Sequence, residues 1–113
     1  MAHAGGIIED PITKQRITFL KTARDTSGEL LRFEVRMAPG GLIHRHMHPK
    51  QHERVEVLCG TLRFRIKARE RRLASGATLV VKPGEAHEVH NESGADAIFV
   101  VEARPALQTE KRL

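Results

Sequence analysis

The sequence of 113 residues is poor in cysteine and in aromatic residues. Its one cysteine, Cys59, excludes an internal disulfide and a cysteine-rich zinc finger. It has no tryptophan, no tyrosine and only four phenylalanines, which disfavours sugar or single-stranded nucleic-acid sites built on aromatic stacking. No apolar run approaches the roughly 20 residues of a membrane helix, and residues 1–8 do not resemble a secretory signal. We therefore expect a cytoplasmic protein that has no membrane partner.

The formal charge is mildly positive, at +5, from 19 basic and 14 acidic residues. The basic residues concentrate in one segment, where only Glu70 opposes Arg63, Arg65, Lys67, Arg69, Arg71 and Arg72. The first three alternate with apolar residues, so we expect them on the outer face of a strand. Their charge would keep the edge of the sheet from pairing with a wrong strand. The segment has no interleaved aromatic residue and no recognition helix, so nucleic acid is not expected as a partner.

Much of the chain shows the period-two alternation that is typical of β-strands. In the clearest segment, 31–37, Leu31, Phe33, Val35 and Met37 alternate with charged residues. Further strand candidates are residues 17–20, the row Val55, Val57 and Cys59, the row Leu62, Phe64 and Ile66, and the short apolar runs 79–81 and 98–101. We expect the two runs to be buried on both faces and Cys59 to be a small buried side chain.

Glycine-containing turn signals separate these segments at short intervals. Many short strands with such spacing predict an all-β antiparallel sandwich or barrel. The length fits one domain over residues 1–113, in which 1–10 and 103–113 are expected to form an arm or a tail.

Six of the seven histidines lie between His44 and His90. On a strand, His46 and His48 would lie on one face, about 7 Å apart along the backbone. A short turn and a returning strand would bring Glu53 back beside them, and His87 would come from another strand. Three imidazoles and one carboxylate suit Fe, Mn, Co, Ni, Cu or Zn, and are too rich in nitrogen for Ca or Mg.

The remaining histidines leave alternatives open. His44 shares the parity of His46 and His48, so His44 and His46 could form the pair instead. His52 competes with Glu53 but has the opposite parity, and His90 should point away from His87. A lone histidine, such as His3, is more often a surface or core residue than a ligand.

Two motifs in this region resemble those of the cupin superfamily. The first is Gly40-x5-His46-x-His48-x4-Glu53-x6-Gly60, which matches the first cupin signature at every fixed position. The second runs from Gly76 to Asn91 and includes Gly84 and His87, with one departure: Lys82 occupies the usual proline position, and Pro83 follows it. Together the motifs indicate a small, single-domain, type-2-like cupin.

This resemblance implies a jelly-roll β-sandwich or barrel with a metal-binding core at residues 40–91. By position, His46, His48, Glu53 and His87 correspond to the metal ligands, and the glycines to inter-strand turns. One divalent transition metal per chain is expected. The family register favours the 46/48 pair, which leaves His44 either deeper in the barrel or at its mouth, as a group that supports the ligands or as a proton shuttle. Glu53 and His44 are then the candidate catalytic residues.

The resemblance does not fix the chemistry, because cupins host many reactions. Our leading hypothesis is a metal-dependent small-molecule enzyme, oxygenase-like, with isomerase or lyase chemistry as further options. Strand parity predicts an apolar lining of Phe33, Val35, Val55, Phe64 and Val89, suited to a small, partly apolar ligand. The alternative is a non-catalytic ligand-binding or sensor cupin. By analogy with small cupins, we expect a homodimer.

Overall fold

The computed structural model describes residues 3–107, which form ten β-strands and no α-helix. The strands are β1 (Ile7–Asp10), β2 (Gln15–Lys21), β3 (Leu31–Met37), β4 (Leu42–His46), β5 (His52–Cys59), β6 (Thr61–Ile66), β7 (Arg69–Ala74), β8 (Thr78–Val81), β9 (His87–His90) and β10 (Ala97–Arg104). Within this part of the chain, no helix has the length and hydropathy needed to cross a membrane.

The strands form two antiparallel sheets, so the predicted all-β jelly-roll fold is confirmed. The larger sheet has the order β1-β2-β3-β10-β5-β8, and the smaller has the order β4-β9-β6-β7. Consecutive strands β4 and β5 belong to different sheets, as do β5 and β6. The chain thus crosses repeatedly between the sheets, and this crossing places residues close in sequence on opposite walls of the interior.

Side chains from the inner faces of both sheets form the core. On β3 the buried residues are those of the predicted row, and the alternating charged residues face outward. Phe64 of the smaller sheet meets Phe99 of the larger sheet edge-on, with ring centroids 6.1 Å apart. Such aromatic pairs stabilise a core beyond the area they bury, so this contact joins the two sheets near the centre of the molecule.

Two burial predictions are wrong, each for a structural reason. Cys59 is exposed because a register shift between Ile98 and Phe99 pairs β10 with Val57 and then with Cys59, leaving Leu58 as an extra residue. Such a bulge reverses the side-chain alternation beyond it. Val80 is 54% exposed because β8 ends the larger sheet and covers the core with one face only.

The terminal segments and the basic segment lie mainly at the rim of the structure. Ile7–Asp10 pairs with β2 of the same chain, and residues 103–104 end β10. Residues 1–2 of the expected arm and 108–113 of the expected tail fall outside the described residues. In the basic segment, β7 is the edge strand of the smaller sheet and its arginines are exposed. Arg63 pairs with Glu70 and Glu92 at 2.9 and 2.8 Å, as expected for a solvated face.

Gly60, in the tight turn between β5 and β6, is expected to tolerate no side chain. Its φ is +82°, and an added Cβ would lie 2.8 Å from the Asp96 carbonyl oxygen and 2.9 Å from the Ala97 Cα. Gly60→Ala should therefore destabilise the protein by about 3 kcal/mol, from backbone strain plus the clash. Gly76 has a φ of +89° but no atom within 4 Å of its Cβ position, so Gly76→Ala should cost only about 1 kcal/mol. Urea unfolding of both variants measures the difference, and equal losses would contradict the clash.

Candidate metal centre

Four of the predicted residues converge between the two sheets. His46 is the last residue of β4, His48 follows two residues later, and His87 is the first residue of β9 and pairs directly with His46. Glu53 enters from β5 of the larger sheet. The predicted short turn exists, but it carries the chain across to the other sheet, so the carboxylate faces the imidazoles from the opposite wall.

The ligand atoms of these four residues lie within 4.8 Å of one another. His48 Nε2 is 3.1 Å and His87 Nε2 is 3.6 Å from Glu53 Oε1. The rings of His46 and His87 have centroids 4.1 Å apart, and those of His46 and His48 are 5.0 Å apart. This set is compact enough to hold one metal ion.

Backbone carbonyls fix the orientation of two of the imidazoles. His46 Nδ1 donates to the His44 carbonyl oxygen at 2.8 Å, and His87 Nδ1 donates to the Glu85 carbonyl oxygen at 2.9 Å. Because a carbonyl only accepts, each neutral ring carries its lone pair on Nε2. Such outer hydrogen bonds usually orient metal-binding histidines.

The buried atoms at this centre fit a bound transition metal. Glu53 Oε1 and His87 Nε2 are buried, and no residue of 3–107 gives either of them a well-formed hydrogen bond. Buried polar atoms normally have a partner, and a divalent cation would supply one to both. A donor set of three imidazoles and a carboxylate suits the first-row transition metals and zinc.

Burial and mutual contact shift the pKa values at this centre in different directions. For Glu53, burial would raise the pKa, but the contacts with His48 and His87 outweigh it and lower the pKa to about 2. Burial is the largest cause of the lowered pKa of His46, and the neighbouring His87 and His48 lower it further. Burial also opposes the charged form of His87, but its contacts with Glu53 and the Glu85 carbonyl raise the pKa. Glu53 is therefore ionised and available to a cation at neutral pH.

The turn at residues 82–85 ties two of the histidines together. The Gly84 amide donates to the His48 carbonyl oxygen at 3.0 Å, and the Glu85 carbonyl accepts from His87. The Lys82 amide donates to the Glu85 carboxylate at 2.7 Å. A proline at this position has no N–H to donate, so the departure of this chain from the second motif gives the turn a hydrogen bond of its own.

The other histidines do not join the cluster. The side chain of His44 is exposed and lines the cavity described below, which agrees with the predicted place at the mouth. His52 is exposed, and His90 Nε2 contacts the Glu88 carboxylate at 2.8 Å. His3 is exposed as well.

The centre opens into a cavity of about 450 Å³. Its wall is mostly apolar and includes four of the five residues that parity predicted: Phe33, Val55, Phe64 and Val89. The fifth, Val35, is fully buried in the core and does not line the cavity. Asp10, Thr13 and Gln15 also line the cavity, although they lie outside residues 40–91 and were not predicted as site residues. The available signal was Gln15 itself, a polar side chain in the inward row of Ile17 and Phe19.

The family of this chain is identified by a match between its sequence and a family model. The family model of the cupin domain matches residues 33–101. The chain belongs to the cupin family. Among curated proteins, no sequence matches this cupin.

Solved structures with a similar fold are named for different roles. A predicted oxalate decarboxylase from Thermotoga maritima is 18% identical, with 80% of each chain covered and a TM-score of 0.78. The Cupin_2 domain of an XRE-family transcriptional regulator from Enterobacter cloacae is 20% identical, with 80% of this cupin and 96% of that chain covered and a TM-score of 0.72. A recombinant oxalate oxidase in complex with glycolate is 25% identical, with 86% and 53% covered and a TM-score of 0.74.

The low pKa of Glu53 predicts that the metal-free protein loses stability in acid. Since the folded-state pKa, about 2, lies below the ordinary value of 4.5, the ionised carboxylate stabilises the fold above pH 4.5. This contribution is lost as the pH falls from 4.5 towards 2, and is worth on the order of 3 kcal/mol. Urea unfolding in the presence of a chelator should show a smaller loss for Glu53→Gln than for the wild type. Equal losses in the two proteins would contradict the assignment.

Proposed function

We propose that this cupin is a metal-dependent enzyme that acts on a small molecule by oxygenase-like chemistry. The observation that carries the proposal is the cluster of His46, His48, Glu53 and His87 within 4.8 Å, placed in the wall of a mostly apolar cavity that is open to solvent. We propose these four residues as the ligands of one divalent transition metal. Such an ion acts as a Lewis acid and a template for substrate, or supports redox chemistry when it is Fe, Mn or Cu.

The residues around the metal have distinct proposed roles. Glu53, ionised at neutral pH, contributes the negative charge that retains the cation, and a Glu53 carboxylate released from the ion is the candidate general base. His44 is exposed at the cavity, and an imidazole can both accept and donate a proton, so His44 is the candidate proton shuttle to solvent. The apolar wall excludes water and selects a partly apolar substrate over a fully polar one.

The neighbours named for oxalate chemistry suggest small carboxylates as the first substrates to test. The wall contains Ile17, Phe33 and Phe99, and oxalate offers no apolar surface to match them. We therefore expect partly apolar carboxylates to be better substrates than oxalate or glycolate.

Oxygen consumption and substrate loss test this function. Untagged protein, reconstituted anaerobically with Fe(II), Mn(II) or Cu(II), is mixed with a carboxylate panel that includes oxalate and glycolate, and O2 uptake is recorded. Substrate-dependent uptake should occur in the wild type and in the His52→Ala/His90→Ala control, and should disappear in His46→Ala/His48→Ala. Ligand binding without consumption of O2 or substrate would contradict the proposal.

A ligand-binding or sensor role is the second candidate. It is favoured by the likeness to the Cupin_2 domain of a transcriptional regulator, of which 96% is covered. In that case the wild type should bind a small molecule that survives purification and leaves it chemically unchanged. Mass spectrometry of the denatured protein's supernatant identifies such a ligand, and O2 uptake separates the two roles.

We further propose that two chains associate through the larger sheet. Its outer face exposes Leu58 on β5 and Val80 on β8, at 47% and 54%, and apolar sheet faces of small cupins are commonly covered by a second copy. Sedimentation of the wild type at micromolar concentration should give twice the chain mass, and Leu58→Lys/Val80→Lys should give the monomer. The cytoplasmic location expected from the sequence stays a prediction.

A further inference from the structure

The buried polar atoms that lack partners concentrate at the cavity. Within residues 3–107, four buried side-chain polar atoms have no hydrogen-bond partner: Gln15 Oε1, Gln51 Oε1, Glu53 Oε1 and His87 Nε2. Three of the four belong to residues that line the cavity. The exception is Gln51, which does not line the cavity and whose amide nitrogen donates to the Pro105 and Ala106 carbonyl oxygens. Two of the cavity atoms belong to the metal centre, so Gln15 Oε1 stands apart as an acceptor that the metal does not explain.

A hydrogen-bond relay fixes which end of the Gln15 amide is free. Gln15 Nε2 donates to Thr13 Oγ1 at 2.8 Å. The Asp10 carboxylate accepts from the Ile12 amide at 2.9 Å and the Thr13 amide at 3.3 Å, which holds the backbone of Thr13 in place. An amide nitrogen only donates, so the Thr13 hydroxyl oxygen accepts from Gln15 through a lone pair.

The relay therefore holds the amide nitrogen of Gln15 towards Thr13 and leaves the carbonyl oxygen unpaired. Gln15 lies at the start of β2, beside Ile17, which also lines the cavity. Leaving a buried acceptor unpaired costs free energy that a ligand donor would recover. An apolar residue of similar shape would avoid this cost, and the chain instead has a glutamine in an otherwise apolar row.

We propose that Gln15 is a specificity-determining residue whose amide oxygen accepts a hydrogen bond from a hydroxyl or amino group of the ligand. The ligand is then a small, mostly apolar molecule that carries a hydrogen-bond donor in addition to the group that would bind the metal. The metal-binding group of the ligand rests on the proposed function, whereas the role of Gln15 does not.

The test compares two probes of nearly equal shape, 4-fluorophenol and 4-fluorotoluene, which differ in the donor. Their dissociation constants are measured by 19F NMR titration of the full chain, both metal-free and loaded with Zn(II). The quantity of interest is the preference for the phenol over the toluene, compared between the wild type and Gln15→Met, which keeps the shape and removes the acceptor. Gln15→Met should reduce this preference by about 10-fold.

Two further variants separate the acceptor from a general effect on folding. Thr13→Val removes the anchor that orients the amide, and should lower the preference although Gln15 is still present. Thr18→Val, on the outer face of β2, should leave the preference unchanged. Thermal melts confirm that each variant is folded.

Two results would overturn the inference. One is an equal preference in the wild type and Gln15→Met, and the other is the absence of binding of the phenol to the wild type. Measurement in the metal-free protein separates this inference from the proposed function. A chain that binds no metal and turns over no substrate would still show the Gln15-dependent preference if the inference holds.

Discussion

Replacing His87 by alanine is expected to weaken the binding of Co(II) or Zn(II) by more than about 100-fold, since loss of an outer hydrogen-bond partner alone costs about 10- to 100-fold. His87 is 5% exposed, and its Nδ1 contact with the Glu85 carbonyl directs Nε2 towards Glu53. Its removal takes one of the three imidazole nitrogens from the cluster. The buried, negatively charged Glu53 carboxylate then has one imidazole neighbour fewer. Competition with a chromophoric chelator at pH 7.5 measures the affinity of each protein.

His90→Ala is the matched control, because His90 ends the strand that His87 begins. Its ring contacts the Glu88 carboxylate and does not belong to the cluster. Metal affinity should change less than about twofold in this control. Equal losses in the two variants would mean that strand β9, and not the ligand atom, determines binding.

Phe64→Ala is expected to destabilise the metal-free protein by about 3–5 kcal/mol. Phe64 is 1% exposed and contacts Phe99 across the two sheets. It also lines the cavity, so the truncation enlarges an existing space that the surrounding sheets cannot fill by collapse. For a chain of this size, such a loss lowers the Tm by about 15 °C or more.

Phe64→Leu separates the loss of volume from the loss of the ring. Leucine fills most of the space, so this variant should cost about 1 kcal/mol. Both are measured by urea unfolding with a chelator present, because a bound metal would add its own stabilisation to the folded state. A loss below about 1 kcal/mol for Phe64→Ala would contradict the contact between the sheets as a main source of stability.

The sequence predicts the fold well where a local pattern determines the structure. The alternation in residues 31–37 gives the bounds of β3, because one face of that strand is buried and the other is solvated. The spacing of His46, His48, Glu53 and His87, together with the motif glycines, identifies the four residues that the structure brings together. Both are properties that a single segment or a family motif carries on its own.

The predictions that were wrong depend on pairing between distant segments. The bulge that turns Cys59 outward arises where β10 pairs with β5, about 40 residues further along the chain. The exposure of Val80 follows from the position of β8 at the end of its sheet. The contribution of Asp10, Thr13 and Gln15 to the cavity depends on β1 and β2 joining the larger sheet beside β3. Apart from the polar Gln15 in an apolar row, the sequence contains no local signal for these arrangements.

Elemental analysis of the untagged protein, purified beside its His46→Ala/His48→Ala variant, tests the metal centre most directly. We predict about one atom of Fe, Mn, Co, Ni, Cu or Zn per chain in the wild type and about none in the variant, both proteins being folded by circular dichroism. Equal metal content in the two proteins, or a wild type that stays metal-free after anaerobic reconstitution, would contradict a metal site at His46, His48, Glu53 and His87.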